Sequence, residues 1–150
     1  MAKYDDTEYQ EQVAFFKWLK LAYPNHYPVI TASSGGGYRA ISTAVRLKAS
    51  GVKAGVPDIF LPIQRFSDFI NYPGLYIEMK CGAAPGKPIG VLSKVQIDYI
   101  KRLIANGYAV YVCNDWVSAS TIVKFYLDKP KTFYFHQMND VVKNALGVNN

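Results

Sequence analysis

Two acidic residues and one lysine lie in otherwise apolar segments of the sequence. Asp58 follows a Gly-Val-Pro turn and opens an apolar run, whereas Glu78 and Lys80 belong to the alternating segment 75–80. Alternation places Glu78 and Lys80 on the same face of a strand, and burying charge without compensation is unfavourable. Two carboxylates and a lysine, together with a divalent cation, are the groups needed to hydrolyse a phosphodiester bond. A salt-bridged pair on an exposed sheet face is the alternative explanation for Glu78 and Lys80.

The elements that must position these residues follow from hydrophobic periodicity and from turn residues. Loops rich in glycine at 33–37 and in glycine and proline at 81–90 interrupt the regular segments. Because helices and strands alternate along most of the chain, we expect an α/β fold with a mixed central β-sheet flanked by helices. The predicted helices are 7–23, 41–50, 93–106, 115–127 and a short turn at 140–146, and the predicted strands are 27–32, 59–63, 75–80 and 108–113.

The composition indicates a folded, basic protein of one domain. The chain has 150 residues, half of them hydrophobic, and 17 Lys plus Arg against 11 Asp plus Glu give a net charge of +6. A basic balance suits a polyanionic partner, although the same charge also serves solubility alone. The sequence has no zinc-binding pattern, because its cysteines and histidines are isolated from one another: Cys81, Cys113, His26 and His136. No apolar run approaches the roughly 20 residues of a membrane span, so we expect a cytoplasmic protein.

Two further side chains could contribute to the site. Glu11 shares a face of the first helix with apolar residues, which would bring its carboxylate to the edge of the core; a partly exposed glutamate in a polar first turn is the alternative. Gln96 opens the helix 93–106, where it also completes a capping box with Ser93. The basic side chains that could contact phosphate groups, or form a solvated surface, are Arg39, Arg46, Lys48, Lys53, Lys87 and Lys94.

The spacing of Pro57-Asp58 and Glu78-Met79-Lys80, about twenty residues apart, resembles the PD-(D/E)XK nuclease signature. Segments 51–58, 74–80 and 92–96 resemble the virus-type replication-repair nuclease (VRR-NUC) family, as does 103–112 with its Gly-Tyr-Ala-Val run. The resemblance implies a restriction-endonuclease-like fold. It covers the first helix to about Leu127, so we expect a nuclease domain at 1–130 and an aromatic tail at 131–150 that packs on it or contacts a second subunit.

The resemblance also implies a role for each matching residue. Asp58 and Glu78 would bind Mg²⁺ or Mn²⁺, with the backbone carbonyl of Met79 as a further ligand, and Glu11 would contact the metal or its waters. Lys80 would orient or deprotonate the attacking water and offset charge in the transition state. Hard oxygen ligands of this kind are those that Mg²⁺ prefers.

The glutamine at position 96 matches a residue that the family places beside the catalytic lysine. Its competing explanation, the capping box, remains open from the sequence.

The activity that the resemblance implies is metal-dependent DNA endonuclease activity. The short, stand-alone viral (phage) members of the family suggest a homodimer that acts on branched DNA such as four-way (Holliday) junctions, in the host cytoplasm. A restriction-type or flap nuclease is a variant within the same chemistry. The alternative is a non-catalytic basic DNA-binding or recombination accessory protein, which would have no use for the set Asp58, Glu78 and Lys80. A third hypothesis is an interaction protein that binds its partner through the aromatic tail.

Overall fold

The computed structural model describes residues 6–33, 41–80 and 91–148, and it confirms the expected α/β class. The four strands of these segments form one mixed sheet in the order β1-β2-β3-β4, in which only the β3–β4 pair is parallel. The strands are β1 (Thr31–Ala32), β2 (Ile59–Leu61), β3 (Leu75–Met79) and β4 (Ala109–Cys113), and the helices are α1 (Asp6–Ala22), α2 (Ile41–Ala49), α3 (Lys94–Ala105), α4 (Trp116–Asp128) and α5 (Asp140–Leu146).

Helices cover both faces of the sheet. On one face α1 and α4 pack against the strands, with Phe15 and Tyr126 in the core. On the other face α3 and α5 cover Val110 and Val112 of β4. Every residue of β4 is buried although β4 is the last strand of the sheet, because helices cover both faces and Met138 of the tail pairs with Val110.

Two strands are shorter than the sequence predicted because proline interrupts them. The segment Tyr27–Val29 forms a 3-10 turn with Pro28 in its first turn, so that β1 begins only at Thr31. Pro62 follows β2 directly, and proline has no N–H with which to continue a sheet ladder.

The described part of the tail packs on the domain. Phe135 and Val142 are buried, and the N–H of Val110 donates to the carbonyl of Gln137 at 2.8 Å. Beneath the tail lies the guanidinium of Arg65, which donates to carbonyls of α4 and of the following segment, among them Tyr126 at 2.7 Å and Phe133 at 3.1 Å. A cation at the C-terminal end of a helix is stabilised by unpaired carbonyls. Contact between the tail and a second subunit stays a prediction.

Among the helices of the described segments, none has the length and apolar character required to cross a membrane.

Candidate active site

The antiparallel pairing of β2 with β3 brings Asp58 and Glu78 together. Ile59 lies opposite Ile77 in this pair, so continuing the register by one residue places Asp58 opposite Glu78. Asp58 Oδ2 accepts a hydrogen bond of 2.7 Å from the backbone N–H of Met79. That bond fixes the orientation of the Asp58 carboxylate at the point where β2 begins and β3 ends.

A glycine allows the segment before Asp58 to lie against α3. Gly55 has φ of +82°, and a Cβ atom there would lie 2.5 Å from the backbone oxygen of Val95. A side chain at this position would therefore meet rigid backbone as well as adopt an unfavourable conformation. The contact holds the first turn of α3, with Gln96, over the two carboxylates.

Glu78 is the central side chain of the site and is only 2% exposed. Its Oε1 lies 3.3 Å from Lys80 Nζ and also accepts a hydrogen bond from Gln96 Nε2. The Lys80 side chain is 17% exposed. The Glu78–Lys80 pair is therefore not on an exposed sheet face, contrary to the alternative explanation that the sequence allowed.

Gln96 completes the capping box of α3, and its side chain also contacts Glu78, the ion-pair partner of Lys80. Its Oε1 accepts from the N–H of Ser93 at 2.9 Å, and its own N–H donates to Ser93 Oγ at 3.3 Å, which completes the capping box of α3. Because the amide oxygen faces Ser93, the amide nitrogen faces Glu78.

The two carboxylates disfavour each other's ionised form. Burial and then the charge of Asp58 raise the pKa of Glu78 to about 8, and Glu8 adds to the effect, whereas Lys80 lowers it. Burial likewise raises the pKa of Asp58, against the Met79 N–H and the Lys80 ammonium. A further cation between the carboxylates would favour ionisation of both, so the site has a physical use for a metal ion.

The first helix contributes Glu8, and not Glu11, to this pocket. The pocket encloses about 320 Å³, and its lining includes Glu8. Glu11 is not among the described lining residues, since its Oε2 accepts a hydrogen bond of 2.7 Å from the N–H of Trp116 in the first turn of α4. A carboxylate is stabilised at a helix N-terminus. Glu8 stands seven and eleven residues before the buried Phe15 and Leu19, and Glu11 stands four and eight residues before them, so helical spacing alone places both glutamates on this face.

The donor set fits a hard cation that keeps part of its hydration shell. Hydrogen bonds from the described residues reach Asp58 through Oδ2 and Glu78 through Oε1. In segments 6–33, 41–80 and 91–148 no group of three or more His, Cys, Asp and Glu is arranged to hold a metal. The protein's contribution is thus two carboxylates with Glu8 nearby, which suits Mg²⁺ because Mg²⁺ takes one or two carboxylates plus waters and substrate phosphate.

The basic residues predicted to contact phosphate lie around this pocket to different degrees. Lys53 and Lys94 are exposed, and each is next in sequence to a residue that lines the pocket. Arg46 and Lys48 are exposed in the last turn of α2. Arg39 and Lys87 lie outside the described residues.

Comparisons with known proteins agree with the fold and with the family resemblance. The family model described as the VRR-NUC domain matches residues 6–116. A solved structure described as a "VRR_NUC domain protein" is similar to this chain with a TM-score of 0.66 and 24% identity, covering 85% of this chain and 93% of that one. No curated protein matches the chain. Because the family model spans more than half of the sequence, the chain belongs to the VRR-NUC domain family, which implies a nuclease of the PD-(D/E)XK type acting on DNA.

Proposed function

We propose that this protein is a divalent-metal-dependent DNA endonuclease whose active site is the pocket at the start of β2 and the end of β3. The observation that carries the proposal is the convergence of Asp58, Glu78, Lys80 and Gln96 on one concave site. A structural ion pair would need neither the second carboxylate nor the pocket.

Asp58 and Glu78 are the proposed ligands of Mg²⁺ or Mn²⁺, with the Met79 carbonyl as a third protein ligand. Glu8 takes the place that the sequence assigned to Glu11, close enough to raise the pKa of Glu78. Such an ion, when bound, lowers the pKa of a coordinated water and polarises the scissile phosphate.

Lys80 is the proposed partner of the attacking water. Its N–H donates to the carbonyl of Cys113 at 2.9 Å, which extends the β3–β4 ladder, and its Nζ is held 3.3 Å from Glu78 Oε1. In hydrolysis the water oxygen forms a new bond to phosphorus, one ester P–O bond breaks, and the leaving oxygen takes up a proton. An ammonium at this position would orient the water and offset the negative charge on the phosphate oxygens.

Gln96 acts through Glu78 as a positioning residue. The capping box holds its amide in one orientation, and the amide nitrogen holds Oε1 of Glu78. Partners of this kind orient a metal ligand and tune its basicity.

DNA is the substrate that the family implies, and the charge distribution supports contact with its phosphates. The net charge is +6, and the exposed Lys53 and Lys94 are each next in sequence to a residue that lines the pocket. Arg46 and Lys48 are exposed on α2, which precedes that segment. Neutralising phosphates releases counterions and makes binding dependent on salt.

Branched DNA and a homodimer are the finer parts of the proposal, and they rest on the resemblance to short viral members. The described residues supply one such site per chain, so cuts in two opposite strands would require two copies. The exposed aromatic side chains of Phe69 and Tyr134, whose rings are 5.7 Å apart, form a surface on which a second copy could pack.

The test is cleavage of a labelled four-way junction beside linear duplex and single-stranded DNA, with Mg²⁺, Mn²⁺ or EDTA. We expect metal-dependent cutting that is fastest on the junction and that falls at least about 100-fold in Lys80→Ala. Lys101→Ala, exposed on α3, is the matched control and should cut at the wild-type rate. Light scattering should give the mass of a dimer. Tight, salt-sensitive binding without cutting in any metal would replace the enzyme by the DNA-binding accessory protein.

A further inference from the structure

A second concave surface, separate from the candidate active site, lies along α1. It encloses about 360 Å³. We call it the α1 groove, and its lining includes Tyr9, Gln12, Phe16, Lys17 and Lys20 of α1 together with Tyr27 of the 3-10 turn. Phe16 and Tyr27 also pack against the core, but the proposed catalysis uses none of these side chains.

The groove combines aromatic rings with positive charge. Tyr9 is 70% exposed, and Lys20 Nζ lies 6.0 Å from the centre of the Tyr27 ring. Lys17 and Lys20 are exposed, and no acidic residue is among the described side chains that line the groove. Aromatic rings on which bases stack, with ammonium groups for the phosphates, are the features that bind an unpaired nucleic-acid strand.

Both walls of the α1 groove are connected along the chain to residues of the active site. Tyr9, Gln12, Phe16 and Lys20 recur every three or four residues, so they share one face of α1 over about 16 Å. Glu8, which lines the active site, directly precedes Tyr9.

The other wall of the groove is connected to the active site through β1, the strand that follows it in the chain. Tyr27 is followed by β1, and Ser33, just after β1, donates its N–H to the carbonyl of Asp58 at 2.7 Å. Both walls of the groove are thus linked to the active site through a short stretch of the chain.

We propose that the α1 groove binds an unpaired single strand of the DNA substrate beside the cleavage site. The inference rests on the proposed nuclease function and adds to it a binding site for any single-stranded segment that a branched substrate carries, without requiring such a segment for cleavage. A duplex keeps the faces of its bases stacked inside, so that it could use the lysines but not the rings. An apolar peptide, or the same groove of a second copy, is a less suitable occupant, because neither would place a negative charge opposite Lys17 and Lys20.

The test is fluorescence anisotropy of the full chain with a labelled oligothymidylate and with a duplex of equal length, in EDTA. Tyr9→Ala should weaken single-strand binding by about 5- to 100-fold and duplex binding by less than about twofold. The double variant Lys17→Ala with Lys20→Ala should reduce the slope of log affinity against log salt by about 1.4 for the single strand, at 0.7 per phosphate contact. Leu21→Ala is the matched control, because Leu21 is 85% exposed on the same helix but does not line the groove.

Unchanged single-strand affinity in Tyr9→Ala, or equal losses for single strand and duplex, would overturn the proposal. Because the readout is binding without metal, it does not depend on cleavage. If the wild-type protein cuts DNA but Tyr9→Ala binds single strands normally, the proposed role of the α1 groove is refuted and the nuclease function is not. Wild-type protein that binds single strands through Tyr9 but cuts no DNA would support the groove and refute the nuclease.

Discussion

Replacing Gln96 by glutamate separates the two contacts that its amide makes. The contact of Oε1 with the N–H of Ser93, 2.9 Å long, is one that glutamate retains, since Glu and Gln serve equally in a capping box. The contact of Nε2 with Glu78 is lost, because an oxygen now faces Oε1 of Glu78. The two carboxylates can then coexist only with a proton between them.

The magnitude follows from the state of Glu78. Its pKa is about 8, so roughly nine tenths of the metal-free protein already carries that proton at pH 7. The substitution should therefore change the free energy of unfolding by less than about 1 kcal/mol, which corresponds to a change in Tm of about 4 °C at most. A bound metal needs the ionised carboxylate. Loss of a side chain that orients a metal ligand typically lowers metal affinity or activity 10- to 100-fold, and we expect Gln96→Glu to reach at least that range.

The assay pairs Mn²⁺ binding by titration calorimetry at pH 7 with thermal unfolding in EDTA. Gln96→Ala is the comparison, because it removes both contacts and should also lose about 1 kcal/mol of stability with the cap. Wild-type metal affinity and wild-type cleavage in Gln96→Glu would refute the reasoning and leave Gln96 as a helix cap alone.

Three further predictions address the charge, the turn and the tail. Because the pKa of Glu78 is raised to about 8, the folded metal-free protein holds about one more proton than the unfolded chain between pH 5 and 8. Its free energy of unfolding should therefore fall by about 1.4 kcal/mol per pH unit as the pH rises. Urea unfolding of Glu78→Gln should lack this slope, and the same pH dependence in the wild type and the variant would contradict the prediction. Gly55→Ala should lower cleavage at least about tenfold and lower the free energy of unfolding by about 1–3 kcal/mol, because its Cβ would meet the backbone oxygen of Val95. Gly51→Ala is the control, since Gly51 has φ of +101° but open space around it, and this variant should keep its activity. Equal losses of cleavage in the two variants would refute the role of the contact with Val95. Arg65→Ala should cost about 2–4 kcal/mol in urea unfolding, since its bonds to carbonyls are charge-assisted, with metal affinity unchanged; a neutral effect would refute its role in holding the tail.

The parts of the fold that could be predicted are those with a local cause. The apolar run of β4 and the alternation of β3 are patterns within the strands themselves, and the spacing of Ser93 and Gln96 predicted the capping box of α3. The end of β2 was missed although Pro62 stood in the sequence, because the apolar residues on either side of it continue the strand pattern.

The parts that could not be predicted depend on partners distant in sequence. Whether Glu8 or Glu11 faces the pocket is decided by how α1 packs on the sheet and on α4, whose Trp116 N–H takes the Glu11 carboxylate. No local pattern shows that Arg65 is buried, since its acceptors lie about sixty residues later. The pairing of Asp58 with Glu78 was expected from the family motif, because the connection at 62–74 is too long for its turn residues to fix the register of the two strands.

Cleavage of labelled DNA by wild-type protein and by Asp58→Asn, side by side, tests most directly whether the pocket is a metal-dependent nuclease site. Asparagine keeps the size of the side chain and an oxygen for the Met79 N–H, but it removes the charge that the metal requires. In Mg²⁺ the wild type should cut DNA, Asp58→Asn should cut at least about 100-fold more slowly, and EDTA should abolish cutting, with DNA binding retained by both. Cleavage by Asp58→Asn at the wild-type rate, or cleavage by the wild type in EDTA, would contradict the assignment of the site.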